Sequence, residues 1–528
     1  MRNGLELWRR AVDHAGDHPV VHYFDHTITY REMDRQADAL AAGLVARGFE
    51  KGDRIACYVQ NIPQFVTTLI AAWKAGGIFV TVNPMNRAGE LAVILEDATP
   101  KAIVMEPQLY DESYALLADD VPRPTIVLTT SAATGLSEPY PIVLPADAAR
   151  TIPGVETLEG LVAAHDGESV PDPDLAPGDA ATIVFTSGTT GRPKGSVSDH
   201  RGVLAGASTG RIATTLPDGG VSLVMAPLFH ITGLSVNCFA TIMASGTLVL
   251  SYRFHPAIIA EMSEKYRPYV TAGAITAYIA LMNEPSVRAD QFTSYRTMIS
   301  GGAPTPLGAL RAFEERFGIV LRNGYGMTET SGIAIVCPLD SEPRVDADTG
   351  GIALGKAIEG FTITIVADDG KPAAAHAVGE IVMNSSALSC GYWLNEDATR
   401  ASRCEYGLKS GDVGKMDEDG YIYIVDRKKD VIIAGGYKVW PREVEDVLYQ
   451  HPAVREAAVV GVADDYRGET VKAVVSLRPG IQADPDEIRE FCKDRLAAYK
   501  YPRIVEIIDE LPKTVTGKVL RRELRDNA

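Results

Sequence analysis

The chain has 528 residues, 46% of them hydrophobic and 23% charged, with a formal net charge of −18 at neutral pH. That length predicts more than one domain, and the composition is that of an ordinary globular protein. The acidic balance excludes a general nucleic-acid binder, which needs a basic face for phosphate. The six cysteines are scattered, with no CxxC pair and no Cys/His cluster at metal-ligand spacing, so no disulfide scaffold is expected and a cytoplasmic protein fits. The opening MRNGLELWRRAVDHAGDHP lacks a signal-peptide core. No uncharged apolar run approaches the ~20 residues of a membrane span; peripheral membrane contact and a homodimer both stay open.

In chain order, Thr29 to Gly48 reads as a helix. Thr29 and Glu32 offer a capping box, Met33, Ala37, Leu40, Ala41, Leu44 and Val45 share one face, and Gly48 suits the stop. A strand at 54–60, a helix at 63–77 and a strand at 78–83 follow, an alternation that predicts an α/β architecture with largely parallel sheets. The proline- and acid-rich stretch 131–178 reads as surface connection. A second α/β run is expected from about 180 to 336, then a β subdomain to about 425 built on FTITIVADDG and EIVMNS. The last hundred residues read as a separate small α+β domain: helix (REVEDVLYQHP), two strands around a polar turn, helix (PDEIREFCKDRLAAY). The predicted division is 1–426, a hinge at 427–429 within DRKKD, and 430–528.

The stretch TIVFTSGTTGRPKG (182–195) is a strand running into a loop of Gly, Ser and Thr, with a helix expected to start near Ser198 or Asp199. Glycines at 188 and 191 let backbone N–H groups converge, Ser187, Thr189 and Thr190 add hydroxyls, and Lys194 adds a positive charge. Such a nest suits a polyphosphate. It is not a Walker A loop, because no GxxxxGK[ST] register fits, and by composition alone a plain surface turn is an equal reading.

Further segments recur in order: GGAP (301–304), NGYGMTET (323–330), KSGDVGKMDEDGYIYIVDRKKD (409–430), GGYKVWPREVE (435–445) and PKTVTGK (512–518). Together with TSGTTGRPKG they resemble, over nearly the whole chain, the adenylate-forming ANL superfamily of acyl-CoA synthetases, peptide-synthetase adenylation domains and firefly-type luciferases. The likeness is greatest to AMP-forming fatty-acyl-type CoA synthetases.

The resemblance implies an ATP site made by Thr186, Ser187, Gly188, Thr189, Thr190, Gly191 and Lys194, with Gly302, Ala303, Pro304, Asn323 and Gly324 beside it. Tyr325 is expected to stack on adenine, with Gly324 and Gly326 giving it room. Thr328 is expected to reach a phosphate oxygen, and Glu329 supplies the hard oxygen ligand that Mg²⁺ on a triphosphate prefers. Asp412 is the expected ribose ligand, since a carboxylate can accept two hydroxyls, with Arg427 reaching the same sugar. Lys518 matches the catalytic lysine that bridges carboxylate and α-phosphate, Lys429 the hinge, and Gly435, Gly436 and Tyr437 the pantetheine tunnel for coenzyme A.

PLFHITGL (227–234) resembles the entrance to an acyl pocket, with His230 helping to place the carboxylate and Gly233 beside it. Gly273, Ser300 and Gly301 are expected to leave space for a bulky apolar acyl group. The peptide-synthetase domains of the resembled family carry an Asp hereabouts to pair an α-ammonium; none lies between Ala226 and Ser251, so the resemblance implies a carboxylic acid lacking an α-amine. The expected reaction is acid plus ATP plus coenzyme A to acyl-CoA, AMP and diphosphate, on a fatty, alicyclic or aryl acid. Transfer of the acyl group to a carrier protein is the alternative.

Overall fold

The computed structural model describes residues 1–138, 140–186, 192–302, 305–346, 351–427, 430–434, 437–464, 468–513 and 519–526, with the backbone alone at Arg427, Lys438 and Asp526. Helix Pro63–Lys74 is buried along its whole length, all twelve residues, as a helix between two layers must be. On one side the Trp73 indole N–H donates to the Ala181 carbonyl at 3.1 Å. On the other the Trp73 ring lies 5.7 Å from that of Phe239.

The layer on the Ala181 side is an eight-stranded sheet in the order Gly391–Tyr392, Gly195–Asp199, Ala180–Phe185, Ile78–Thr81, Arg54–Tyr58, Ala102–Met105, Ile126–Thr129, Glu156–Thr157. Its inner strands pair in parallel. Ile78–Thr81 and Ala102–Met105 are buried at every residue, as strands covered on both faces are. The second layer is a nine-stranded sheet in which Thr247–Leu250, Val221–Leu223, Val270–Gly273, Thr297–Gly301 and Leu321–Met327 run parallel, with Gly332–Val336 and then Lys356–Ala357, each antiparallel to its neighbour, at one end.

The predicted split of the α/β region at about 180 does not hold. Ala180–Phe185 closes the first sheet, pairing in parallel with Ile78–Thr81. The N-terminal hairpin, Pro19–Tyr23 with His26–Thr29, joins the second sheet through the register Val21↔Leu248. Pairing between strands so far apart in sequence leaves no trace in local periodicity.

Helix Tyr30–Ala46 carries the predicted capping box, with the Glu32 N–H on Thr29 Oγ1 at 3.2 Å and the Thr29 N–H on Glu32 Oε2 at 2.8 Å. Gly48 ends it at φ +81°. Val45 departs from the predicted face and is 42% exposed. The stretch 131–178 is more than connection: helix Leu158–Ala164 lies so close that a Cβ on Gly43 would meet Leu161 at 2.5 Å.

A third, antiparallel sheet follows the second layer, built on Thr362–Val366, Gly379–Asn384 and Gly407–Met416, with Ile422–Arg427 paired to the last of these. This is the predicted β subdomain. The small C-terminal unit is the predicted helix–strand–strand–helix: Pro441–Leu448, Val454–Asp464, Gly468–Leu477 and Pro485–Lys493. Val444, Leu448, Val459, Val471, Val475 and Ile488 form its own core. The molecule is thus a mixed α/β protein with a large N-terminal and a small C-terminal part.

A buried carboxyl clasps the two main layers. Glu106, 4% exposed at the end of strand Ala102–Met105, accepts the Gln60 N–H and the Tyr252 hydroxyl, both at 2.8 Å. Next to it the Asn61 N–H donates to the Tyr252 carbonyl at 2.9 Å, and Asn61 Oδ1 accepts the Leu228 N–H at 2.8 Å. Burial pushes the Glu106 carboxyl up from 4.5 to about 7, against the opposing pull of those two donors and of Arg253. Because the folded value is the higher one, this group's contribution to stability is complete below about 4.5 and is lost as the pH rises through about 7. At about 1.4 kcal/mol per pH unit the whole effect is roughly 3 kcal/mol. Glu106→Gln, which cannot ionise, should therefore gain on the wild type in urea midpoint between about pH 5 and pH 8; parallel pH profiles would contradict the assignment.

Candidate active site

The TSGTTGRPKG loop is the turn of a β-hairpin. Ala180–Phe185 pairs antiparallel with Gly195–Asp199 in the register Ile183↔Val197 and Phe185↔Gly195. The Thr186 N–H donates to the Lys194 carbonyl at 2.9 Å, and the Lys194 N–H returns to Thr186 Oγ1 at 3.3 Å. This pair closes the mouth of the loop; Ser187, Gly188, Thr189, Thr190 and Gly191 lie outside the described residues. Helix His200–Thr214 starts where predicted, with Asp199 Oδ1 on the Gly202 N–H at 2.7 Å. The buried strand Gly195–Asp199 stands between loop and helix, however. The loop therefore does not open directly onto a helix N-terminus.

Lys194 reaches across to the turn that holds Glu329. Its Nζ lies 5.1 Å from the centre of the Tyr392 ring, a cation–π contact. The Tyr392 hydroxyl in turn donates to Glu329 Oε1 at 2.6 Å. Strand Gly391–Tyr392 is placed by pairing with Gly195–Asp199, Tyr392 opposite Ser196. The Ser389 N–H fixes the Glu329 carbonyl at 2.8 Å. Glu329 sits in the turn Thr328–Thr330 and is 7% exposed, while Thr328 is half-buried at the start of that turn. Burial and the Glu329 charge push the Tyr392 hydroxyl well above its ordinary value, so it stays a donor. Sequence reasoning missed Tyr392: it lies in CGYWLNED, outside every motif, and only its pairing with the strand after the loop brings it to the site.

Strand Leu321–Met327 continues the same wall. The Tyr325 hydroxyl donates to Asp412 Oδ2 at 2.6 Å, which joins the two expected adenosine ligands. Asp412 stands opposite Arg427 in the pairing of Gly407–Met416 with Ile422–Arg427; the Arg427 side chain is outside the described residues. The buried Asn323 donates from Nδ2 to the Ala353 carbonyl at 3.1 Å, which fixes its amide.

Gly324 and Gly326 do not give Tyr325 room, contrary to expectation. A Cβ on Gly324 would meet the Ile299 and Ile333 side chains at 2.8 Å, and one on Gly326 would lie 1.9 Å from the Gly332 carbonyl oxygen. They are glycines because neighbouring strands approach their backbone. Gly302 is the reverse case, in open space at φ +79°; Ala303 and Pro304 lie outside the described residues.

In the expected acyl region the Thr232 N–H donates to His230 Nδ1 at 3.3 Å, which makes Nδ1 an acceptor and places the ring proton on Nε2. His230 opens onto the π-helix Thr232–Phe239, a winding that often marks functional segments. The small residues are less open than predicted. A Cβ on Gly233 would lie 2.2 Å from the Pro227 carbonyl oxygen, one on Gly273 2.4 Å from Met225 Cε, and one on Gly301 3.0 Å from the Gly324 carbonyl oxygen. Ser300 is fully buried, its hydroxyl 3.0 Å from that of Thr305. Close packing, rather than vacant acyl space, accounts for these positions.

In the small unit Tyr437 is 60% exposed and stacks on Tyr499, ring centres 4.7 Å apart. Lys429, Gly435, Gly436 and Lys518 lie outside the described residues.

Two doubly covered α/β layers, a β unit, a small α+β unit and a Lys–Tyr–Glu line closing a Gly/Ser/Thr hairpin define a nucleotide-dependent enzyme of the adenylate-forming class. The chain belongs to the AMP-binding enzyme family: that family's model matches residues 7–393, and the model of the AMP-binding enzyme C-terminal domain matches 443–518. It is 33% identical over 521 residues to a long-chain-fatty-acid–CoA ligase of Bacillus subtilis (strain 168), covering 96% of this chain and 91% of that one. To a feruloyl-CoA synthase of Amycolatopsis sp it is 34% identical over 533 residues, covering 99% of each. Among solved structures, ATP-bound MatB from Rhodopseudomonas palustris overlays with a TM-score of 0.86 at 28% identity, covering 100% of this chain and 99% of that one. The apo form of the same protein overlays at 0.77 with 29% identity and the same coverage.

Removing a hydrogen bond to a charged group costs about 1.5–3 kcal/mol. Tyr392→Phe should accordingly lower the kcat/KM of ATP–diphosphate exchange by about 10- to 100-fold. An unchanged value would remove Tyr392 from the site.

Proposed function

We propose that this protein is an AMP-forming acid–thiol ligase, converting a carboxylic acid, ATP and coenzyme A into acyl-CoA, AMP and diphosphate through an acyl-adenylate. The observation that carries the proposal is the Lys194–Tyr392–Glu329 line, which sets a cation over the Tyr392 ring and a carboxylate on its hydroxyl at the mouth of the hairpin loop. The closer overlay on the ATP-bound than on the apo form of MatB is consistent with it.

Lys194 and the loop hold the β- and γ-phosphates, and Tyr325 and Asp412 hold the adenosine. The donor set fits Mg²⁺ on the nucleotide. No group of three or more His, Cys, Asp or Glu able to hold a metal ion occurs among the described residues; Glu329 would supply one carboxylate to Mg²⁺ carried on the nucleotide, which when bound would offset phosphate charge. The substrate carboxylate oxygen attacks the α-phosphorus and diphosphate leaves. The thiol sulfur then attacks the acyl carbon and AMP leaves. Lys518 places positive charge between carboxylate and α-phosphate in the first step. A hinge at 427–429, centred on Lys429, lets residues 430–528 swing so that Gly435, Gly436 and Tyr437 line the thiol's approach in the second. His230, with its proton on Nε2, orients the carboxylate. The substrate is an acid without an α-amine, of fatty or aryl type as in the named relatives.

The test is AMP release from ATP·Mg²⁺ with a panel of fatty, aryl and polycyclic acids, each with and without coenzyme A. Release that requires both one acid class and coenzyme A is expected. Diphosphate formation indifferent to coenzyme A would assign the acyl group to a carrier protein instead. In the same assay Lys518→Ala should lose about 10²–10³ in adenylation rate yet form thioester from supplied acyl-adenylate; equal loss in both steps would refute the role.

A further inference from the structure

Arg521, in the C-terminal helix Arg521–Asp526, gathers three carboxylates. Nη2 donates to both oxygens of Glu445, at 2.7 and 2.9 Å. Nη1 donates to Asp430 Oδ2 at 3.1 Å and lies 3.7 Å from Asp426 Oδ1. The side chains of Asp426, Asp430 and Glu445 are all under 10% exposed, at 2, 6 and 9%. Each carboxylate has a further partner: Asp426 Oδ2 accepts the Arg442 N–H at 2.8 Å, Glu445 Oε1 the Val459 N–H at 2.8 Å, and Asp430 Oδ1 the Arg525 guanidinium at 3.1 Å.

Asp426 belongs to strand Ile422–Arg427, the neighbour of the strand that carries Asp412. Asp430 and Glu445 lie beyond the junction at 428–429, and Glu445 is on helix Pro441–Leu448. One guanidinium therefore spans the last strand of the large part and the body of the small one. On the other flank of 514–518, Lys513 pairs with Glu456 and bridges Val519 in antiparallel register. A buried, forked ion network of this kind contributes little net stability, but its planar geometry fixes orientation.

We infer that Arg521 is a positioning residue for adenylation: by binding Asp426 across the junction it holds the C-terminal segment in the orientation that faces the Asp412 strand. The inference rests on the proposed reading, in which Lys518, three residues upstream, serves the first half-reaction only.

The test uses the full-length enzyme and two conservative variants, Arg521→Lys, which keeps the charge but loses the fork, and Asp426→Asn, which keeps the acceptor for Arg442. ATP–diphosphate exchange and thioester formation from supplied acyl-adenylate are measured separately, with the melting temperature. Since a displacement near 1 Å can cost about 10²-fold, Arg521→Lys should lower the kcat of exchange by about that factor. The KM for ATP and the thioester step should stay within about twofold. Asp426→Asn should show the same split at about tenfold. Proportional loss of both half-reactions, as a merely structural role gives, or loss of neither, would overturn the inference. If Arg521→Lys does not fold, Asp426→Asn decides alone. Wild-type AMP release run alongside keeps the two readings apart: if it needs neither an acid nor coenzyme A, the ligase reading itself fails, whatever the variants do.

Discussion

The rest of the structure depends on a helix with no exposed face. Pro63–Lys74 can be buried on every side only if apolar elements cover each flank: the eight-stranded sheet on one, and helices Gly4–Ala15 and Tyr30–Ala46 with Phe239 on the other. Parallel strands buried on both faces then run as short apolar stretches, and their chain ends collect polar residues along a common edge. Glu106, Gln60, Asn61 and Tyr252 clasp that edge in one region. The hairpin 180–199 and the turn at Glu329 meet along it in another.

The candidate site follows from how that edge is closed. The strand after the hairpin loop is buried at all five residues and offers its free side to Gly391–Tyr392, a two-residue strand nearly two hundred positions away. That pairing delivers the tyrosine hydroxyl that holds Glu329 and the ring that receives Lys194. Likewise the antiparallel pairing of Gly407–Met416 with Ile422–Arg427 sets Asp412 opposite Arg427, within reach of Tyr325. Asp426, one residue earlier on the same strand, faces Arg521 from the small part. One β-ribbon thus joins the wall that carries Tyr325 and Asp412 to the C-terminal segment.

Glycines in the motif segments owe their identity to packing as well as to conformation. Gly324, Gly326, Gly233 and Gly273 all stand in segments singled out by sequence, and at each a Cβ would meet a close neighbour. At Gly324, Gly326 and Gly233 the cause is Ile333, Gly332 and Pro227 pressing on the backbone, and at Gly273 the tip of Met225 fills the space, whereas the expectation was of vacant space for a ring or an acyl chain. Close packing excludes even a methyl group at such contacts. Gly302 and Gly411, each with a positive φ and open surroundings, serve conformation instead.

By itself the sequence determined what is local. The capping box at Thr29, the helix after Asp199, the strand-rich 361–425 region, the small unit's helix–strand–strand–helix order and the order of the motifs are written in spacing and residue type, because caps, turns and periodicity act over a few residues. Tertiary structure decided what is distant: that Ala180–Phe185 closes the first sheet while Pro19–Thr29 joins the second, that Val45 faces outward, that Tyr392 stands between Lys194 and Glu329, and that Arg521 joins Asp426 to Glu445. Each of these is a pairing across tens to hundreds of residues. Such pairings depend on the burial and hydrogen bonding of the assembled layers, and no short window of sequence contains both partners.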